Sequence, residues 1–340
     1  MGRFLQRKIK FITNEKKNLL QMKKKYLVVY NTCGISGKDN SDYYVSAINS
    51  IREQDCDNYI LALSSCLNTD EQIEKLLNNC QIDVVNRINE ILPVNITFND
   101  TVKESIKFYG NFDGYLYLDS GVKFTEPGQL KTLFDEFESG NYGMVSAQVD
   151  NDFGWCWFGK NEYERPILKE NLIVPVGKAC NLHCQIFSND LFTEYGNLIP
   201  DIFKSYCTES VFSFLNAAIQ KQWLITSKVR VHHAFNVPEG QPDDGDGLDG
   251  HSSGFRAPHG TWDDVYPPHT MKEIISLEEG TKYGFGYEEL RHIKIHNKDC
   301  YDKDYYCTNN ELKKFLKKYL YRNESDFDYE GINRTITKLS

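Results

Sequence analysis

Asp119 is the side chain in this sequence best placed to do chemistry. It closes the run Asp113-Gly114-Tyr115-Leu116-Tyr117-Leu118-Asp119 and is followed by Ser120 and Gly121. A lone carboxylate at the carboxyl end of a central strand, with glycine two residues on, sits where open α/β sheets bind ligands. An isolated Asp-Ser-Gly would merely start a turn. Two other stretches invite a metal. Cys180-x-x-His183-Cys184, with Cys207, offers zinc-type ligands but not two clean pairs, so it reads as buried structural cysteines. The acidic run Asp243–Gly250 hints at calcium, but Leu248 stands where an oxygen ligand is needed and no Glu follows at the twelfth place, so it reads as a flexible loop. Glu209, between Thr208 and Ser210, opens a helix, where the dipole favours the ionised carboxylate. The plain alternative is a glutamate that only improves its helix.

These residues need elements to hold them. Gly114–Leu118 alternates, with Tyr115 and Tyr117 on one face and Leu116 and Leu118 on the other, so it reads as a strand buried on both faces. Tyr26–Tyr30 is an unbroken apolar strand ending in Asn31-Thr32-Cys33-Gly34, whose short polar groups can face a ligand. Asp42 caps a helix carrying Tyr44, Ile48 and Ile51, and Tyr59–Leu63 is a second strand ending at Ser64-Ser65. Thr69 and Gln72 form a capping box for the next helix. Strand candidates follow at Ile82–Ile88 and Val94–Phe98, and Asn99-Asp100-Thr101 opens a helix to Tyr109. Such alternation builds a mostly parallel sheet through right-handed crossovers. Further on come a strand at Tyr142–Gln148 and a loop at Asn151–Lys160 bearing Trp155 and Trp157. A helix follows with Val211, Phe212, Leu215, Ala218, Ile219 and Trp223 on its apolar face. Ser227–Ala234 is a strand with Val229, Val231 and His233 on one face, followed by a Gly-, Pro- and Asp-rich loop at 236–270. A last helix near Asn310–Tyr321 and a polar tail close the chain.

At 340 residues with 40% hydrophobic and 26% charged content, the chain is of ordinary globular type. The net charge of −9 argues against nucleic acid as a partner. The charge is uneven: residues 1–25 hold nine Lys or Arg against Glu15, a net +8, leaving −17 for the rest. Residues 3–25 read as a solvated helical extension or as a surface helix drawn to anionic lipid. Ten cysteines without a C-x-x-C pair suit reduced thiols, and no apolar run is long enough to span a membrane. The expected location is therefore cytoplasmic, with the membrane surface as a variant of it.

The order of elements over residues 26–260 resembles GT-A-fold glycosyltransferases, family 2 in particular. The marks are the Asn31-Thr32 turn after the first strand, the Asp119-Ser120-Gly121 turn, the Thr208-Glu209-Ser210 motif and His233 ending a later strand. The resemblance implies an α/β fold with a mostly parallel central sheet flanked by helices, and N- and C-terminal extensions. Its bounds are residues 1–25 for a basic extension, 26–270 for the transferase domain and 271–340 for an appendage. It implies transfer of a sugar from a nucleotide-sugar donor to a hydroxyl acceptor such as a glycan, inverting, with Glu209 as general base. Asp119 and His233 are the implied ligands of a divalent cation, Mn²⁺ or Mg²⁺, that neutralises the leaving diphosphate. Implied donor contacts are Asn31, Thr32, Ser65, Asp119, Gly121 and Arg256, the last a bidentate grip on the diphosphate, against the plain alternative of a surface arginine with no role. Trp155 and Trp157 are implied to stack on the acceptor, against the ordinary role of core tryptophans.

The sequence departs from that family in three places. The usual second carboxylate is Gly121, the second strand ends in Ser64-Ser65 rather than an acid, and the acidic motif reads Thr208-Glu209. A non-catalytic carbohydrate- or nucleotide-sugar-binding protein and a sugar-nucleotidyltransferase are the alternatives. The latter lacks the Gly-rich basic loop that holds a triphosphate.

Overall fold

The computed structural model describes residues 24–33, 40–90, 92, 94–149, 168–174, 183–200, 212–233, 313, 316–317 and 328–339. Strand β1 (Tyr26–Cys33) carries no polar side chain before Asn31 apart from tyrosine hydroxyls, and such a strand is stable only with both faces covered. It lies between β2 (Tyr59–Cys66) and β4 (Gly114–Leu118), both parallel to it, and β3 (Val84–Ile88) extends the block beyond β2. On the other side β8 (Cys184–Ser188) runs antiparallel to β4 and is followed by β6 (Tyr142–Val149) and β9 (Gln222–His233). The short β5 (Val122–Lys123) and β7 (Leu172–Ile173) both pair with β9, and β10 (Arg334–Lys338) lies antiparallel on β3. Among the described residues β1–β4, β6 and β9 point one way. The sheet is the mostly parallel α/β sheet expected.

Helices cover both faces. On one, α1 (Ser41–Arg52), α2 (Asp70–Asn79) and α4 (Gln129–Glu138) bury Ile48, Leu76 and Phe134 against Val28, Tyr30, Leu116 and Leu118. On the other, α3 (Val94–Tyr109), α5 (Asn189–Tyr195) and α6 (Phe212–Ala218) bury Phe98, Leu191 and Leu215 against Leu27, Val29, Tyr115 and Tyr117. The period-2 split of β4 thus sends its tyrosines to one core and its leucines to the other. No helix among the described residues is long and apolar enough to cross a membrane.

The Thr69–Gln72 capping box forms as expected. Asp42 does not cap α1: Asn40 is the N-cap and makes no side-chain cap bond, while Asp42 sits in the first turn and pairs with Lys75 at 2.9 Å. Trp223, expected on a helix face, belongs to β9, because α6 stops before Gln220 turns left-handed at φ 59°. There its indole donates to Ser146 Oγ at 2.8 Å.

Val94–Phe98 is the start of α3, not a strand. Its β-branched residues favour extended chain, but its polar residues find tertiary partners only as a helix. Asn95 donates to the Pro200 carbonyl at 2.8 Å, and Asn99 donates to Ile199 at 2.6 Å while accepting from the Leu198 and Ile199 amides. Farther along, Asp100 and Glu104 reach the C-terminal segment. The stretch that reads as a polar tail is strand β10, whose Arg334 lies 3.3 Å from Asp100 and 2.6 Å from Glu104.

This carboxylate pair generates a stability prediction. Burial pushes the Asp100 carboxyl up to about 6, against the pull of Asn86 and Arg334. Removing one partner of a buried ion pair costs about 3–5 kcal/mol, so Arg334→Ala should lose about that much in urea melts at pH 8. An acid whose folded value lies above its unfolded one is better tolerated below that value and is penalised as pH rises through it. The loss should therefore shrink at pH 5. Equal losses at the two pH values would show that the stranded carboxylates are not its cause.

Candidate metal and donor site

The site is built around the turn that follows β4. Its backbone is gripped by side chains from β1 and α1: Tyr30 donates to the Ser120 carbonyl at 2.6 Å, Tyr43 to the Gly121 carbonyl at 2.6 Å, and Asn31 Nδ2 to the Leu118 carbonyl at 2.8 Å. Burial holds the Tyr30 phenol well above its ordinary range, so it remains a donor at any physiological pH. Asp119, 5% exposed, is oriented by the same turn. Its Oδ1 accepts from the Ser120 amide at 3.0 Å and from the Tyr117 hydroxyl at 3.3 Å. That leaves Oδ2 to face two imidazoles.

The first imidazole is His183, one residue before β8. Because β8 runs antiparallel with Cys184 opposite Leu118, His183 falls beside Asp119, and its carbonyl accepts the Asp119 amide at 2.9 Å. Its Nδ1 stands 3.3 Å from Asp119 Oδ2. The second is His233, the last residue of β9, brought across by pairing with Val122. Its Nε2 stands 3.7 Å from the same oxygen, and the two rings are 4.2 Å apart. Val229, Val231 and His233 are buried while Arg230 and His232 are less so, as the alternation predicts.

One ligand atom from each of Asp119, His183 and His233 lies within 4.8 Å of the others, and all three side chains are buried. A carboxylate oxygen with two imidazole nitrogens is a donor set for a divalent first-row cation, and it is softer than the oxygen-rich cages that suit Mg²⁺ or Ca²⁺. The residues present therefore fit the expected cation, with His183 added to Asp119 and His233. Cys184 is not part of the set. Alternation turns it into the opposite core with Leu116 and Leu118, where burial pushes its thiol far up and out of the range of a thiolate ligand.

At the carboxyl ends of β1 and β2, Thr32 and Ser65 are register partners, and Asn68 donates 2.9 Å bonds to both hydroxyls. The Asn68 carboxamide oxygen is buried and, among the described residues, has no hydrogen-bond partner. Asn68 follows Leu67, held left-handed at φ 56°. Its carbonyl is within 3.4 Å of Arg87, which also pairs with Asp70. Glu209, Arg256, Trp155 and Trp157 lie outside the described residues, as do the extension 3–23, the loop 236–270 and most of the helix near 310–321.

Asn68 and Tyr43 carry no signal in the sequence, and His183 stands out there only within the zinc-like Cys180-x-x-His183-Cys184 stretch, set aside as structural. The signal that places it is its position directly before Cys184–Ser188, a short apolar run of strand length.

No family model matches the sequence, and no curated protein matches it. Many solved structures align with part of the chain, among them the following three. Staphylococcus aureus TarS residues 1–349 align at 16% identity over 62% of this chain and 60% of that one, with a TM-score of 0.44. The mannosyltransferase PcManGT from Pyrobaculum calidifontis, in complex with GDP-Man and Mn²⁺, aligns at 12% identity over 64% and 59%, TM-score 0.45. GalNAc-T7 with UDP, GalNAc and Mn²⁺ aligns at 12% identity over 87% and 54%, TM-score 0.45. This chain therefore spans less than two thirds of each of them.

The geometry predicts how Mn²⁺ binding responds to mutation. Loss of a group that merely orients a ligand costs about 10–100-fold in metal affinity. His183→Ala and His233→Ala should each weaken calorimetric Mn²⁺ binding by at least that much, and Asp119→Ala should abolish it. His232→Ala and Cys184→Ala should leave it near wild type. A Cys184→Ala protein that loses the metal would contradict the assignment.

Proposed function

We propose that this chain is a glycosyltransferase that moves a sugar from a nucleotide-sugar donor to a hydroxyl acceptor, with a divalent cation held by Asp119, His183 and His233. The observation that carries the reading is the convergence of those buried side chains at the carboxyl end of β4. Carboxyl ends of open α/β sheets are where nucleotides bind. When bound, the cation supplies charge compensation for a diphosphate leaving group. Two imidazoles and one carboxylate favour Mn²⁺ over Mg²⁺.

Around that centre the chain's own residues divide the work. Thr32, Ser65 and Asn68 form a hydroxyl- and amide-rich floor for the nucleoside, with the Asn68 carboxamide oxygen as an acceptor. The absence of an acid there leaves base recognition to neutral hydrogen-bonding groups. The turn Asp119–Gly121 is fixed from behind by Tyr30 and Tyr43, so its position costs no reorganisation when donor arrives. Glu209 acts as general base on the acceptor hydroxyl, which makes the transfer inverting. Leu198–Pro200 and α6, on either side of residues 201–211, are both anchored in the core. Arg256 grips the diphosphate, and Trp155 and Trp157 stack on the acceptor, a glycan. The protein works in the cytoplasm, with residues 3–25 available to an anionic membrane surface.

A panel of nucleotide-sugars incubated with the full chain and Mn²⁺ should release nucleoside diphosphate from at least one donor. With that donor, Glu209→Gln should lower kcat by about 10²–10⁴ with the donor KM nearly constant, as for a proton acceptor used in the transition state. Wild-type turnover by Glu209→Gln would remove the base assignment and the inverting mechanism that rests on it. Release of diphosphate from no donor, with nucleoside diphosphate still bound, would favour the non-catalytic binding protein.

A further inference from the structure

We infer that Asn31 is an additional oxygen ligand of the cation at the Asp119–His183–His233 centre, through its carboxamide oxygen; this rests on the proposed cation site and deepens it. Asn31 stands one residue beyond the last paired position of β1 and β4, Tyr30 opposite Leu118, so the register sets it beside Asp119. Alternation puts it on the same side as Asp119. Leu27 and Val29 precede Asn31, and Tyr115 and Tyr117 precede Asp119, and all four pack in one core. The amide cannot be flipped. Its Nδ2 donates to the Leu118 carbonyl at 2.8 Å, and a carbonyl only accepts, so the other arm must be oxygen.

That oxygen is unmatched, as are those of Asn68 and Asn86, but only Asn31 is a register neighbour of Asp119. Asn31 is 4% exposed, and among the described residues its Oδ1 has no hydrogen-bond partner. A buried acceptor left unmatched costs free energy. In a residue set beside Asp119 by register, a cation at the proposed centre would satisfy it. A neutral carbonyl-type oxygen is an ordinary hard donor to Mn²⁺ and stands in for the second carboxylate that Gly121 replaces in this chain. The protein would then supply two oxygens and two nitrogens.

The test is calorimetric titration of the full chain with MnCl₂, with circular dichroism melts of the metal-free proteins to confirm folding. Asn31→Ala should weaken Mn²⁺ binding by about 10–100-fold, the scale of losses around a metal. Asn31→Asp cannot donate to Leu118 but keeps an oxygen in place and adds charge, so it should bind Mn²⁺ at least as tightly as wild type. If Asn31 only braces the Leu118 carbonyl, both variants lose that brace and weaken binding alike, which would overturn the inference. Unchanged affinity in Asn31→Ala would overturn it too. A wild-type protein that binds no Mn²⁺, or binds it equally after Asp119→Ala, would remove the cation site itself and this inference with it.

Discussion

Everything at this site depends on keeping a carboxylate buried at the end of a strand. Taking a carboxylate out of water costs several kcal/mol unless hydrogen bonds or opposite charge replace the lost solvent. The chain meets half of that requirement with its own backbone and a tyrosine, through the Ser120 amide and the Tyr117 hydroxyl on Oδ1. On the other side, the His183 Nδ1 stands 3.3 Å from Oδ2, and the His233 Nε2, at 3.7 Å, is a neighbour beyond hydrogen-bond reach. The demands of this arrangement explain features that look unrelated in the sequence. The tyrosines of β1 and α1 end in hydroxyls that hold the turn. An antiparallel β8 is inserted in a mostly parallel sheet, and β9 runs long enough to return a histidine to the same oxygen.

The proposed cation site holds a single carboxylate, Asp119, and this sets its electrostatics. A divalent cation against one carboxylate leaves a net positive centre, whereas two carboxylates would neutralise it. A positive centre binds the free cation less strongly but attracts a diphosphate more strongly. Metal and donor would therefore assist one another's binding, each supplying the charge the other lacks.

Much of this was legible because it rests on period 2. Two cores divided by the alternation of β4, and the burial of His233 rather than His232, follow from which residues share a face. The Thr69 capping box was legible because it is local. What escaped is what depends on partners distant in sequence. His183 is 64 residues from Asp119, and only the antiparallel entry of β8 makes them neighbours. Val94–Phe98 has the composition of a strand, but Asn95 and Asn99 are satisfied by a segment about a hundred residues on, so tertiary bonds override propensity. β10 reads as a polar tail since it is an edge strand anchored by the Arg334 ion pairs rather than by an apolar face.

In the proposed site Asp119, His183 and His233 share one cation beneath a nucleoside diphosphate. Crystals of the full chain grown with MnCl₂ and a nucleoside diphosphate, measured at a wavelength where manganese scatters anomalously, test it directly. A single strong anomalous peak is expected within bonding distance of Asp119 Oδ2 and of one nitrogen of each histidine, with diphosphate oxygens completing the coordination. A diphosphate bound at the ends of β1 and β4 with no anomalous peak against these three side chains would contradict it, as would manganese bound elsewhere.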